Sequence, residues 1–378
     1  MLSKLHHAEN ALRASEFAGA LALARAALED CAGEPARDAD AVRARLLIGE
    51  LLQLNGDIAP ALDSLTRALA DAMALNDPES IVAARCRLAL SLSDSLGLYE
   101  QALANACEAY RLADAIHFEE GIIHALIRIT GAYARVGDAD RAERIGLMAL
   151  SLSRDRHDAP FIWRSMTMLA VACNIVADDR EQTLEYASAM LERGLAYARG
   201  AQHFSFVWGR ADVRSMGYLT VAAALLRNGR PGEALDAIAQ CLDIAQSFRL
   251  VNVELAALRE RAACQIARGE LDAAHRTLLQ ATANPVFGHH LRNRRLITKL
   301  LSECCQRLGL DAQAAGYREQ YHRLEAEHEA SRKSAHSRFS PDLPMYEDTF
   351  NMLARLADSG PVRSLAHGSW QWAAEARI

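Results

Sequence analysis

The chain has 378 residues, 51% hydrophobic and 24% charged, which is enough apolar content to bury a large core and too much for a disordered polymer. A formal net charge of -6 and a pI near 6.1 lack the strongly basic footprint of a phosphate-backbone binder, so nucleic acid is not an expected partner. The opening MLSKLHHAEN has no apolar run of the kind export signals carry. The apolar stretches at 166–177 and 218–226 are too short to cross about 30 Å of hydrocarbon, so a cytoplasmic protein without membrane insertion is expected.

In chain order, Ala20 and Ala27 stand two helical turns apart near the N-terminus. Next, Leu46, Leu47, Leu51 and Leu52 precede Gly56, while Ile58, Leu62, Leu65 and Leu69 follow it at helical spacing, which predicts helix, turn, helix. Glycine recurs in the same setting at 97, 137, 229, 269 and 309, so the successive spacings are 41, 40, 92, 40 and 40. The long gap equals two stretched periods with one turn glycine missing, and the underlying repeat is about 40 residues.

Five residues after each glycine stands an alanine, at 61, 102, 142, 234, 274 and 314. Seven further on comes a second small residue in most units, Ala68, Ala109, Ala149, Cys241 and Ala281. Small side chains on one helix face allow a neighbouring helix to approach closely. Ala187 and Gly194 mark the unit that lacks its glycine, which brings the total to about eight helical hairpins. Asp57, Asp138 and Asp311 follow turn glycines or lie just beyond one, and can accept from free amides at the start of the next helix. No alternating β pattern is present, so the expected class is all-α. Eight scattered cysteines, without a C-x-x-C pair, read as small core residues of a reducing compartment.

Glycine, alanine five later and a small residue seven beyond that resemble the tetratricopeptide repeat. Its signature also has a small residue seven before the glycine, supplied here by Gly49, Thr130, Ala222, Ala262 and Ser302, and an aromatic four before it, supplied by Tyr133. Leu90 departs from the first of these positions; Leu52, Ser93, Leu225, Gln265 and Cys305 depart from the second, and the closing proline is missing. The 40-residue period resembles long-helix variants of bacterial signalling proteins. The resemblance covers residues 1 to about 335 and implies a right-handed α-solenoid of antiparallel hairpins whose first helices line a concave groove for a protein or peptide. Stacked hairpins leave such an extended surface unused in folding.

Candidate contact residues fall in two groups. Residues 161–218 break the repeat rhythm and concentrate Phe161, Trp163, Phe204, Phe206, Trp208 and Tyr218 around Arg164, Arg210 and Arg214, a composition shared by binding hot spots and by cores filling a wider gap. Ten residues before the turn glycine, on the side expected to face the groove, stand Arg87, Arg259 and Lys299, in register with Leu46, Ile127 and Leu219; Arg128, Arg292 and Arg295 are close by. Such cations suit carboxylates of an acidic partner segment, or simply solvation.

The sequence divides into a solenoid over 1–338, ending in a long charged helix, and a tail over 339–378. The helix GYREQYHRLEAEHEASRKSAHSRF resembles those joining tetratricopeptide arrays to GGDEF domains, but no GGDEF string follows. The tail, with Tyr346, Phe350, Leu353, Leu356, Trp370 and Trp372, is read either as a cap for the last hairpin or as a segment regulating the groove. HExxH, Walker-type, G-x-S-x-G and G-x-G-x-x-G motifs do not occur, and His322, Glu325, His328 and Glu329 share a charged helix on which metal-like spacings arise by accident. The expected function is therefore a non-enzymatic scaffold or adaptor needing no cofactor or metal, with a ligand-responsive signalling regulator acting in trans as the alternative.

Overall fold

A computed structural model describes residues 3–32, 38–177 and 184–338, and among them every regular element is an α-helix. The helices pair in sequence. The first four hairpins are α1 (Lys4–Arg13) with α2 (Phe17–Asp30), α3 (Asp38–Asn55) with α4 (Ile58–Ala74), α5 (Pro78–Asp94) with α6 (Tyr99–Ala115), and α7 (Glu119–Val136) with α8 (Ala139–Asp155). Then come α9 (Ala159–Ala177) with α10 (Leu184–Trp208), α11 (Ala211–Arg227) with α12 (Pro231–Ser247), α13 (Val251–Ala267) with α14 (Leu271–Thr282), and α15 (Leu291–Arg307) with α16 (Asp311–Arg338). The eight hairpins form an all-α solenoid, as the period requires. The tail at 339–378 lies outside the described residues, as does the α9–α10 turn where the glycine is missing.

All six repeat glycines end a first helix with positive φ. The turn is locked by an amide reaching back over it, as in Asp57 N to Leu52 O at 2.9 Å and Asp138 N to Tyr133 O at 3.0 Å. A second set of turns, between hairpins, had no glycine signal: Asn76, His117, His157 and Arg249 take positive φ there and are closed in the same way, as by Phe118 N to Ala113 O at 2.8 Å. Of the three aspartates expected to cap second helices, Asp138 does so, accepting from Arg141 N at 3.1 Å. Asp57 makes no side-chain cap, because the tight turn that bonds Ile58 N to Gly56 O at 2.9 Å already orders the entry; Asp311 is itself the first residue of α16.

The small-residue register is a packing register. Ala61, Ala68, Ala142, Ala149, Ala234, Cys241, Ala274 and Ala281 have no accessible surface. In α10 the pair shifts by one step: Ala187 is only half-buried, whereas Gly194 and Ala201, seven apart, are buried, and a Cβ on Gly194 would lie 3.1 Å from the Cβ of Cys173. The reason is length, since α10 has 25 residues where α4, α6, α8 and α12 each have 17, and the extra turns precede the contact. This extension is what stretches the interval between Gly137 and Gly229.

First helices pack on one another in succession, α3 on α5, α5 on α7, α7 on α9, α9 on α11, α11 on α13 and α13 on α15, and so form one layer. The stack also closes on itself, through contacts that join hairpins four or five apart. Ser15 Oγ accepts from Ala211 N at 2.9 Å, Asn252 Nδ2 donates to Gln53 O, α13 touches α3, and α16 lies across α6 and α7. In that last contact Arg332 donates to Val136 O at 3.0 and 2.9 Å through Nε and Nη2, and Ser331 Oγ donates to Gly97 O.

Gly56 sits on this seam with φ 83°, and a Cβ there would lie 2.1 Å from Cγ1 of Val286 and 3.0 Å from Asn252 Oδ1. Gly56→Ala is therefore expected to cost about 1–2 kcal/mol from the left-handed backbone alone, and more from the collision. The same change at Gly229, where nothing lies within 4 Å, carries only the backbone cost. Denaturant melts of the two variants measure the difference, and equal losses would show that the seam does not contribute to stability.

Candidate functional site

The inner layer carries charge where a globular core would carry hydrocarbon. Glu50 (α3), Arg87 (α5), His124 and Arg128 (α7), Arg164 (α9) and Arg210 with Asp212 (opening α11) come from five first helices in succession, and Arg210 meets Glu50 across the curve of the layer. Arg87 Nη2 lies 3.4 Å from Glu50 Oε2, and Arg210 bonds Glu50 Oε1 at 3.3 Å and Asp212 Oδ2 at 2.8 Å. Arg128 Nη2 is 3.0 Å from His124 Nε2, so the imidazole accepts there. Aromatic rings complete the surface: Arg164 stacks over Trp208 at 5.1 Å and Phe161 at 5.8 Å, Arg210 over Trp208 at 5.0 Å, and Trp163 meets Trp208 at 5.6 Å.

The electrostatics follow from this crowding. Burial pushes the Glu50 carboxyl up, but Arg210, Arg87 and Arg164 outweigh it and hold the group at about 2. Arg164 is lowered to about 10 by burial and then by Arg128, and His124 is held well below its usual range by burial and the same arginine, which keeps it neutral. Arg210 is instead raised, because Glu50 and Asp212 outweigh its burial.

A second charged cluster follows along the same layer toward the closing seam. Asp94 (α5) pairs with Arg135 (α7), Arg259 pairs with Glu260 and Asn293, and Arg295 donates to Glu325 Oε2 at 2.6 Å. A cavity of about 180 Å³ at the seam is lined by Tyr99, Arg292, Arg295, Glu327 and His328 among others. Burial lowers His290 and His328 to about 4, and Arg292 to about 10 with help from Arg135 and Arg259.

The residues singled out in the sequence thus separate. Arg87, Arg128, Arg164, Trp208 and Arg210 converge in the first cluster, and Arg259 and Arg295 join the second. Phe206 and Arg214 form a patch of their own with Tyr218, the guanidinium 5.4 Å over the Phe206 ring. Lys299 is exposed and contacts neither cluster; it lies on the last first helix, which no later hairpin among the described residues continues. The register ten before the glycine is not uniformly lining, since Leu46, Ile127 and Leu219 there are core. Glu50, His124, Asp94 and Asp212 escaped sequence reasoning. Glu50 carried a usable signal, one helical turn beyond Leu46 on the stripe that holds Arg87 in the next repeat. Among the described residues no group of His, Cys, Asp and Glu is arranged to hold a metal. Cys304 and Cys305 are buried, and the Cys304 thiol donates to Leu271 O at 3.3 Å.

Eight hairpins, six of them closed at a glycine and most with paired small residues on the second helix, and a continuous layer of first helices decide the fold. It is a tetratricopeptide-repeat solenoid. No protein-family description and no curated protein matches the sequence. Solved structures do: a Rap protein complexed with competence and sporulation factor is similar with a TM-score of 0.55 at 13% identity, over 87% of this chain and 98% of that one. The Rap conjugation gene regulator of plasmid pLS20, in complex with the Phr* peptide, is similar with a TM-score of 0.54 at 10% identity, over 78% of this chain and 79% of that one. At these identities the likeness speaks for the fold. No helix among the described residues of this tetratricopeptide-repeat chain is long and apolar enough to cross a membrane.

Proposed function

We propose that this protein is a peptide-binding module whose channel is the inner face of the solenoid, that it acts by binding and not by catalysis, and that its ligand is acidic rather than a nucleic acid. The observation that carries the reading is the first cluster, where four arginines and three large aromatics face two carboxylates on a layer that could have been filled with hydrocarbon at lower cost. Arginine and tryptophan are the side chains that concentrate binding energy. Two structures of the same fold, both Rap proteins, hold competence and sporulation factor or the Phr* peptide, which supports an oligopeptide as the guest.

Trp208→Ala tests the reading, because it removes the ring shared by Arg164, Arg210 and Trp163. Wild-type protein incubated with a synthetic pool of short peptides and then gel-filtered is expected to retain a subset, identified by mass spectrometry. The variant should retain them at least ~10-fold less well, the loss typical of a hot-spot residue. A wild type that retains nothing and melts unchanged in the presence of the pool would end the proposal.

A second reading, a ligand-responsive regulator, draws on the seam. Several of the contacts that close the stack are single hydrogen bonds, so a guest in the channel can shift the balance between closed and opened forms. Deuterium exchange at the amides of Leu291 and Ala211, whose acceptors are Ser95 O and Ser15 Oγ, reads that balance and is expected to change when retained peptide is added.

A further inference from the structure

The cavity at the seam is bounded by two hairpins far apart in the chain, and its lining divides by chemistry. Leu96 and Leu98 from the α5–α6 turn, with Leu291 of α15 and Leu324 of α16, supply hydrocarbon. Arg292 and Glu327 supply opposite charges, and neither has a hydrogen-bond or ion-pair partner among the described residues, not even in the other. The carboxylate that acts on Arg292, Asp94, is already bonded by Arg135. Arg295 reaches Glu325 through Nη1, but its Nε is a buried donor with no acceptor. His328 is neutral near pH 7, with Nδ1 3.3 Å from the Tyr99 hydroxyl, and adds no charge. A guanidinium held largely out of water without an anion of its own is costly unless a ligand supplies one.

We propose that this cavity is a site for a free α-amino acid with an apolar side chain, its ammonium met by Glu327, its carboxylate by Arg292 and Arg295 Nε, and its side chain by the leucines. Size agrees, since a protein cavity of about 150 Å³ takes benzene, and this one, at about 180 Å³, takes leucine or valine. Charge agrees as well. An apolar pocket with a few converging polar groups is the usual form of a small-molecule site. Glu327 attracts an ammonium and disfavours a dianion such as phosphate, while Arg292 disfavours an amine that lacks a carboxylate. The position of the site gives it a consequence. Its walls come from the third and eighth hairpins, so a molecule inside touches both sides of the seam and binds the closed stack better than an opened one. The site lies apart from the first cluster and stands whether or not a peptide binds there.

Calorimetry of the full chain tests this with L-leucine, with 4-methylpentanoate, which lacks the ammonium, and with leucinamide, which lacks the carboxylate. L-Leucine is expected to bind at least ~10-fold more tightly than either analogue, the effect of one charge-assisted hydrogen bond. Glu327→Gln is expected to bring L-leucine down to the level of 4-methylpentanoate, and Arg292→Gln to that of leucinamide, with circular dichroism showing both variants folded. Glu327 is exposed and unpaired, so its variant keeps the stack intact. With leucine at ~10 times its Kd and no peptide present, exchange of the Leu291 amide, which donates to Ser95 O across the seam, is expected to slow about 10-fold. A wild type that does not bind L-leucine, equal binding of all three probes, or full affinity in the Glu327→Gln protein overturns the proposal. So does Leu291 exchange that leucine leaves unchanged, because the ligand then lies elsewhere; none of these results bears on peptide binding at the inner face.

Discussion

Glu50→Gln is expected to destabilise the protein by about 3 kcal/mol at neutral pH, the value that follows from a carboxyl held near 2 instead of its ordinary 4.5. The side chain is the shared acceptor of Arg87 and Arg210, and only about a fifth of it meets solvent. Removing its charge leaves arginines on three first helices facing one another without the anion that joins them, and breaking a buried pair from one side is costly for that reason. The sign of the pH dependence is fixed. A carboxyl whose folded pKa is depressed contributes its full stability above its unfolded value, near 4.5, and loses it as pH falls toward 2. Denaturant titrations should therefore show a wide gap between wild type and variant at pH 7 that narrows below about pH 4.5. A gap that stays constant down to pH 3 would mean that the charge contributes nothing and that packing alone accounts for the loss.

Ala142→Glu is expected to cost at least ~3 kcal/mol, because it drives a carboxylate and a further methylene into a site with no accessible surface. Ala142 belongs to α8, which packs on both α7 and α9, so the damage falls on the contact between two hairpins and not on one helix. Ala142→Gly is the control; it keeps the space and is expected to lose only about 1 kcal/mol through helix propensity. Circular dichroism melts separate the two. An Ala142→Glu protein that melts with the parent would mean that α8 is turned differently from the small-residue register.

The two experiments probe features of unequal visibility in the sequence. The register that buries Ala142 is written in every repeat, because a left-handed turn accepts glycine most readily and a close helix approach requires a small side chain whatever the partner is. Those local demands made the helices, the turns at the repeat glycines and the number of hairpins legible. The non-glycine turns at Asn76, His117, His157 and Arg249 were not, since a single residue of those types in the left-handed region leaves no periodic mark.

Arg87, Arg128, Arg164, Trp208 and Arg210 could be picked out by type, yet nothing in their spacing says that Glu50 joins Arg87 to Arg210 across 160 residues. That junction exists because small rotations from one hairpin to the next accumulate until hairpins four apart touch. The sum of those rotations is set by packing along the whole stack. Lys299 shows the same limit from the other side: it shares a sequence register with Arg87 and Arg259, and the end of the stack leaves it in solvent. The sequence by itself determined the repeating unit, through backbone conformation and close packing that each hairpin must satisfy locally. Only the tertiary structure decided which charges meet and that the spiral closes, because both depend on distances that no single repeat contains.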